Sequence, residues 1–313
     1  NQESAPRPDG IEHGRRALQQ NSLDIFRDAL RPSEEDDAVA QQVKGHLYQR
    51  DFESAFGTVD HLRVYASRWS PVRALAYREL LDECVGDGAG PLRVVCLGGG
   101  AGSELVALAA WASSLRTTRH VAVDLVDMAD WRQVTATLHH HATTPPQLSQ
   151  YASRARQASN RALVNGEDFT VAFHRLNVLE QDSAEPEWAG LVGRADLVTA
   201  MFTVNELYAT SLVKTQALLS GAMSCLRPGG KLLVVDSPGS YSTVSLNGTE
   251  KKYPMHWLLD HTLIRCGSDE PNGQRGWRKT DENSSRWFRL PSELRYPVPL
   301  QDIRFQVHCY RRV

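Results

Sequence analysis

The 313-residue sequence predicts an α/β fold in which a doubly wound, mostly parallel sheet follows a helical amino-terminal extension. Three observations predict it. From Leu92 onward, apolar runs of strand length alternate with helical patterns, the texture of a parallel sheet covered on both faces. The first apolar run, through Leu97, passes directly into Gly98, Gly99, Gly100 and Gly102 and then into a helical pattern from Glu104 to Trp111. Several of the later runs end in polar residues and turn formers, as strands do where such a sheet meets solvent.

Taken in order, the extension carries helix-like stretches at Leu23 to Leu30 and Glu34 to Tyr48, joined at Arg31-Pro32-Ser33 with Ser33 as N-cap ahead of acidic first-turn residues. A third helix is expected to start at Ser70-Pro71, a cap followed by proline, and to stop in the glycine-rich stretch Gly86 to Gly90. Strands are then expected at Arg93 to Leu97, His120 to Val126, Thr170 to Leu176, Asp196 to Phe202 and Lys231 to Val235. Helices fall at Glu104 to Leu115, Ala129 to His139 and Ser211 to Leu226, the last stopped by Arg227-Pro228-Gly229-Gly230. Arg286 to Leu290 and Ile303 to Tyr310 read as late strands forming an antiparallel edge. The expected organisation is therefore a helical extension, 1–91, and one α/β unit, 92–313, carrying insertions at 143–168 and 237–279 that follow strand ends and crowd the binding edge.

Composition excludes several classes. Hydrophobic residues make up 41% and the formal charge is −2, which gives enough apolar mass for a large core and argues against a dedicated DNA binder. Nothing approaches the roughly 18 uninterrupted apolar residues of a membrane helix, and Asn1 to Gly10 lack the layout of a secretory signal. The five cysteines, Cys84, Cys96, Cys225, Cys266 and Cys309, have no short-spaced pair, the usage of a reducing compartment. His139, His140 and His141 point in different directions on a helix and make a poor chelate, so no metal is expected. Basic residues exceed acidic ones from Arg265 to Arg312, a candidate RNA-backbone face or a solvated surface of mixed sign.

In a doubly wound sheet the ligand lies beyond the carboxyl ends of the strands. The glycines let backbone approach a nucleotide-like ligand closely, and the following helix presents free N–H groups. After the second strand, Asp127 is better placed than Asp124 to reach a ribose hydroxyl pair without being buried unpaired. The third strand exit supplies Asn177, either an adenine partner or a turn residue. The fourth supplies Phe202-Thr203-Val204-Asn205-Glu206-Leu207-Tyr208, where Asn205 and Glu206 act in chemistry or cap the next helix. The fifth supplies Asp236-Ser237-Pro238-Gly239-Ser240-Tyr241.

These features together resemble a class I, Rossmann-like methyltransferase that uses S-adenosylmethionine. Cys96 stands where many such enzymes carry an acidic residue, so the methionine end of the donor needs another partner, and Arg68 is the expected one for its carboxylate. More narrowly, Cys96 to Glu104, Tyr65 to Pro71, Phe202 to Tyr208, Asp236 to Tyr241 and Trp287-Phe288-Arg289-Leu290 are similar to the fungal 25S ribosomal RNA uridine-N3 methyltransferases. That resemblance implies donor contacts from Arg68, Gly98, Gly99, Gly100, Gly102, Glu104, Asp127, Asn177 and Phe202. It implies a large-subunit ribosomal RNA or pre-ribosome as partner, a monomer, and a nuclear, nucleolar or cytoplasmic site of action.

Methyl transfer from a sulfonium is chiefly a positioning problem, but uridine N-3 must also lose a proton. Glu206 and Asp236 are the acidic candidates, with Asn205 orienting the base edge. The normally paired edge requires an unpaired or flipped base, with Tyr208, Ser237 and Tyr241 as substrate contacts. Three other readings stay open: a small-molecule methyltransferase with a lid, a non-catalytic donor-binding factor in ribosome assembly, and a dinucleotide-dependent oxidoreductase.

Overall fold

The computed structural model of the chain describes residues 8–86, 88, 90–239, 241–246, 249–265 and 276–313, without the side chains of 8–11, 222, 241–246, 249–251 and 265. The main sheet contains β1 (Leu92–Leu97), β2 (Val121–Asp127), β3 (Phe169–Arg175), β4 (Leu197–Met201), β5 (Lys231–Asp236), β8 (Trp277–Phe288) and β9 (Ile303–Arg312); a separate hairpin pairs β6 (Tyr241–Leu246) with β7 (Thr249–Pro254). The strand order is β3-β2-β1-β4-β5-β9-β8. The first five strands are mutually parallel and β9 runs against both its neighbours. The order reverses between β1 and β4, which opens a crevice at their carboxyl ends.

The two late strands form the antiparallel edge expected of them. β9 lies inside the sheet, with Phe305 to Tyr310 all buried, and β8 forms the rim. Burial accounts for their order: β9 has apolar or hydrogen-bonded residues on both faces, whereas Arg278 to Ser285 of β8 are polar and mostly exposed.

The helices before β1 are α1 (Pro8–Leu30), α2 (Asp37–Tyr48), α3 (Phe52–Ala55) and α4 (Val59–Cys84). They are continuous with the α/β core: Leu23, Phe26, Leu75 and Leu80 share one apolar cluster with Val94, Leu105 and Val123. With α5 (Ser103–Ser113) and α6 (Arg132–Thr143) they cover one face of the sheet. Among the later helices, α7 (Arg154–Ser159) is solvent-exposed, while α8 (Pro186–Val192), α9 (Val204–Thr210), α10 (Leu212–Ser220) and α11 (Met255–Asp260) contribute to the cluster on the other face.

Two expectations are corrected here. Ser70-Pro71 does not begin a helix; Pro71 lies inside the 26-residue α4, which starts at the Thr58 N-cap. Pro71 has no N–H for the carbonyl of Ser67 one turn earlier, and the Tyr296 hydroxyl donates to that carbonyl instead, at 2.8 Å. The insertion 143–168 does not reach the binding edge. It follows α6, which runs back along the sheet, and so it arrives at the amino ends of the strands, where the Val121 N–H donates to Asp168 and Val164 to Ala142. The segment from 237 leaves the carboxyl end of β5 as expected, but its last residues, from Trp277, already belong to β8.

Candidate cofactor and active site

Beyond the carboxyl ends of β1, β2 and β4 lies a cleft of about 1000 Å³ including its open mouth. Its floor is the glycine turn. Gly98 has φ 72°, and a Cβ there would fall 2.3 Å from Thr203 Oγ1, so this position needs both the conformation and the small size of glycine. At Gly100 an added Cβ would lie 2.0 Å from Trp131 Cδ1. Gly99 and Gly102 complete the turn, and the Thr203 hydroxyl ties it to β4 by donating to the Leu97 carbonyl at 3.1 Å. On the outer side, Ser70 of α4 donates to the Ala101 carbonyl at 2.8 Å, which fixes the leader to the turn.

Carboxyl groups dominate the polar lining. Asp127, the last residue of β2, accepts the N–H of Gly100 at 3.2 Å and of Ala129 at 3.1 Å. Burial pushes its pKa up to about 6, against the pull of those two N–H groups. Each carboxylate oxygen has further lone-pair capacity, so hydroxyl groups of a ligand can still donate to it. Glu104 is buried in the first turn of α5 with its Oε1 unpartnered, and burial pushes it up to about 8. Glu206 of α9 is likewise raised by burial to about 8. Asp236, buried behind this lining at the end of β5, is raised by burial to about 6 while it accepts the N–H of Asn205 at 2.9 Å and of Ser237 at 2.8 Å.

Arg73 is the guanidinium among these acids. It donates to the Tyr65 hydroxyl at 2.7 Å and lies over the Phe202 ring, 4.4 Å from the centroid. Phe202 itself holds φ 55°, a left-handed conformation unusual for an aromatic residue, at the strand exit. The adenine-sized side of the cleft is apolar, lined by Val126, Met128, Leu176, Val178 and Leu179, with Asn177 among them. The Asn177 Oδ1 accepts the Leu179 N–H at 3.0 Å, so the turn-residue role is realised; its amide nitrogen remains for a ligand.

The structure brings Gly98, Glu104, Asp127, Asn177, Phe202 and Glu206 to one cleft and sets other expected residues apart. Arg68 does not line it: its guanidinium is held by the Ser33 carbonyl and the Asp37 carboxylate. Asp124 hydrogen-bonds His174 across β2 and β3 at 2.8 Å. Tyr208 is 4% exposed in the apolar cluster on the far side of α9, which is a packing position. Ser237 is exposed beside the site, and the side chain of Tyr241 lies outside the described residues. Three residues of the basic carboxyl-terminal stretch are paired within the fold, Lys279 with Asp260 and Glu282, Arg286 with Glu83, and Arg289 with Asp302; the side chains of Arg265 and Arg275 lie outside the described residues. His139 bonds the Phe169 carbonyl at 3.0 Å, and among the described residues no group of acidic, histidine or cysteine side chains is placed to hold a metal. No helix there is long and apolar enough to cross a membrane.

Residues 26–311 match the sequence family described as "Putative SAM-dependent methyltransferase". The chain belongs to this family. The methyltransferase is also 32% identical over 329 residues to the 25S rRNA (uridine(2843)-N(3))-methyltransferase of Saccharomyces cerevisiae, across 93% of this chain and 85% of the yeast protein. Among solved structures it is similar to an O-methyltransferase family protein from Burkholderia thailandensis, with TM-score 0.45 and 15% identity over 89% of this chain and 70% of that one. A SAM-dependent methyltransferase from Methanosarcina mazei has TM-score 0.40 and 12% identity over 73% of this chain and 96% of its own.

S-adenosylmethionine, the methyl donor of the family, fits what the cleft offers. The donor carries a sulfonium, an ammonium and a carboxylate, a net single positive charge. Three carboxyl groups and one guanidinium line the cleft, with Glu104 oxygen unpartnered and the turn stripped of side chains where a ligand would lie closest.

Sequence reasoning missed Arg73, Phe52, Phe56 and Trp131. The signal for Arg73 was present: Tyr65, Trp69, Arg73 and Tyr77 recur every four residues and share one stripe of α4. Reading Pro71 as a helix start cut that stripe in two.

Proposed function

We propose that this methyltransferase transfers a methyl group to N-3 of a uridine in large-subunit ribosomal RNA, with Glu206 as the general base. The observation that carries the reading is the position of Glu206 in a wall shared by the donor cleft and a second chamber that also holds Asn205. The RNA target is supported by the yeast relative, whose name specifies that reaction.

In this reading Gly98, Gly99, Gly100 and Gly102 cradle the donor, Asp127 accepts from its ribose hydroxyls, and Asn177 meets the adenine edge. Arg73 takes the donor carboxylate in the role Arg68 was expected to fill, Glu104 takes the ammonium, and Phe202 closes the strand exit beside them. When bound, the donor supplies an electrophilic methyl group and departs as a neutral thioether. Glu206 accepts the N-3 proton as the nitrogen electron pair forms its bond to carbon. A carboxylate held near neutral pKa is matched to that task. Asp236 acts one step back: it accepts the Asn205 N–H at the start of α9 while the Ser237 N–H holds its other oxygen, so it positions Asn205 and Glu206.

The 1–91 segment serves as an extension that completes the site of the 92–313 unit. Such an activity belongs where large subunits are made or used, in the nucleus, nucleolus or cytoplasm. The test is to incubate the protein with labelled donor and total RNA from cells lacking it, then map the modified base. Label at N-3 of one uridine is expected. Label on a small metabolite, or donor binding with no transfer to RNA, would overturn the reading.

A further inference from the structure

Beside the donor cleft is a second, open chamber of about 560 Å³ including its mouth, lined by Leu47, Arg50, Trp69 and Asn205 and meeting the cleft at Arg73 and Glu206. Its position next to Glu206 makes it the place for an acceptor, and its walls state what kind. The Trp69 ring stacks on Tyr65 with centroids 5.1 Å apart and planes at 26°, so one wall is a flat aromatic platform for a base. Asn205 offers an amide and Glu206 a carboxyl at the edge of such a base.

The mouth is formed by the end of α2, and its geometry is unusual. The Arg50 N–H donates to the Leu47 carbonyl at 3.0 Å and the Asp51 N–H to the His46 carbonyl at 2.9 Å, the double closure that ends a helix through one left-handed residue. That residue is usually glycine, yet here it is Arg50, with φ 59° and an exposed side chain. A strained arginine in a glycine position, at the rim of a chamber with an aromatic wall, has a cost in stability and no buried contact to offset it.

We propose that this chamber receives the flipped target base and that Arg50 holds a phosphate of the same RNA strand, so that the α2–α3 turn of the leader reads the substrate. The proposal rests on the RNA reading above. The Tyr48 ring, 91% exposed two residues earlier, is free to take a flanking base as a stacking partner.

The decisive variant is Arg50→Gly, because glycine relieves the left-handed strain while deleting the charge. Thermal stability should hold or rise, and calorimetric affinity for S-adenosylhomocysteine should not change. Affinity for a synthetic RNA hairpin carrying the mapped uridine should fall about tenfold, and the slope of its logarithm against log salt should shrink by about one, the signature of one lost phosphate contact. Arg50→Lys should restore the slope. Trp69→Leu should lower kcat/KM for the hairpin at least about tenfold with unchanged affinity for S-adenosylhomocysteine. A wild-type enzyme that methylates the hairpin together with an Arg50→Gly protein of undiminished RNA affinity would overturn the proposal and leave the RNA reading standing. A wild-type enzyme that methylates no RNA would remove both.

Discussion

Glu206 and Asp127 illustrate how position converts one functional group into two tools. Both are half-buried carboxyls lining the cleft, but Asp127 accepts two backbone N–H bonds and is raised only to about 6, whereas Glu206 is raised by desolvation to about 8. Replacing Glu206 with Gln should lower kcat about 10²- to 10⁴-fold, the range for loss of a general base, while calorimetry with S-adenosylhomocysteine shows a bound donor product. In the wild type kcat should climb with pH up to about 8 as Glu206 ionises and then level off; the climb should vanish in Glu206→Gln. Asp127→Asn should weaken donor binding, read by the same calorimetry, because only an acceptor-only group serves a hydroxyl pair while also receiving two N–H groups. Asp127 and Glu206 were legible in the sequence because the first closes an apolar strand and the second lies in the polar stretch that opens just after one. Arg73 was not, since a residue two positions after a proline at a plausible cap reads as the first turn of a new helix.

At the scale of elements, α4 shows what lets a proline sit within a long helix. The carbonyl freed at Ser67 is satisfied by Tyr296, which arrives from the loop between β8 and β9. Tyr296→Phe should cost about 1–3 kcal/mol in denaturant unfolding, the penalty for a buried carbonyl left without a donor. A partner so distant in sequence cannot be read from local pattern, and this is why the beginning of α4 was misplaced. The strands β1 to β5 were legible because they are short, apolar and bounded by turn formers. β8 was only half legible: its rim position permits polar residues along most of its length, which hides the strand alternation. The direction of the chain decided the fate of the two insertions, since a segment entering before a strand faces the opposite end of the sheet from one leaving after it.

For the whole molecule, the group of raised carboxyls has a thermodynamic consequence. Glu104 and Glu206 are raised to about 8, and Asp127 and Asp236 to about 6. The folded chain therefore holds protons that the unfolded chain releases, and their contribution to stability is complete in acid and lost as pH rises through about 6 and then about 8. The free protein should lose melting temperature across that interval. A cationic donor favours the ionised acids, so the thermal shift produced by S-adenosylmethionine should grow from pH 6 to pH 8, measured at fixed donor concentration. A shift that shrinks over that range would contradict the assignment of Glu104 and Asp127 to the donor.

The hydrogen bond from Ser70 to Ala101 joins the segment that carries the chamber's aromatic wall to the turn that forms the cleft floor. Sites that share a joint are coupled when filling one of them moves it: if an acceptor pulls α4 toward the turn, the donor is gripped harder, and reciprocity requires the donor to tighten the acceptor by the same factor. Cutting the joint with Ser70→Ala should leave each ligand its own affinity and abolish their mutual enhancement in paired titrations, turning a concerted clamp into two neighbours that ignore each other.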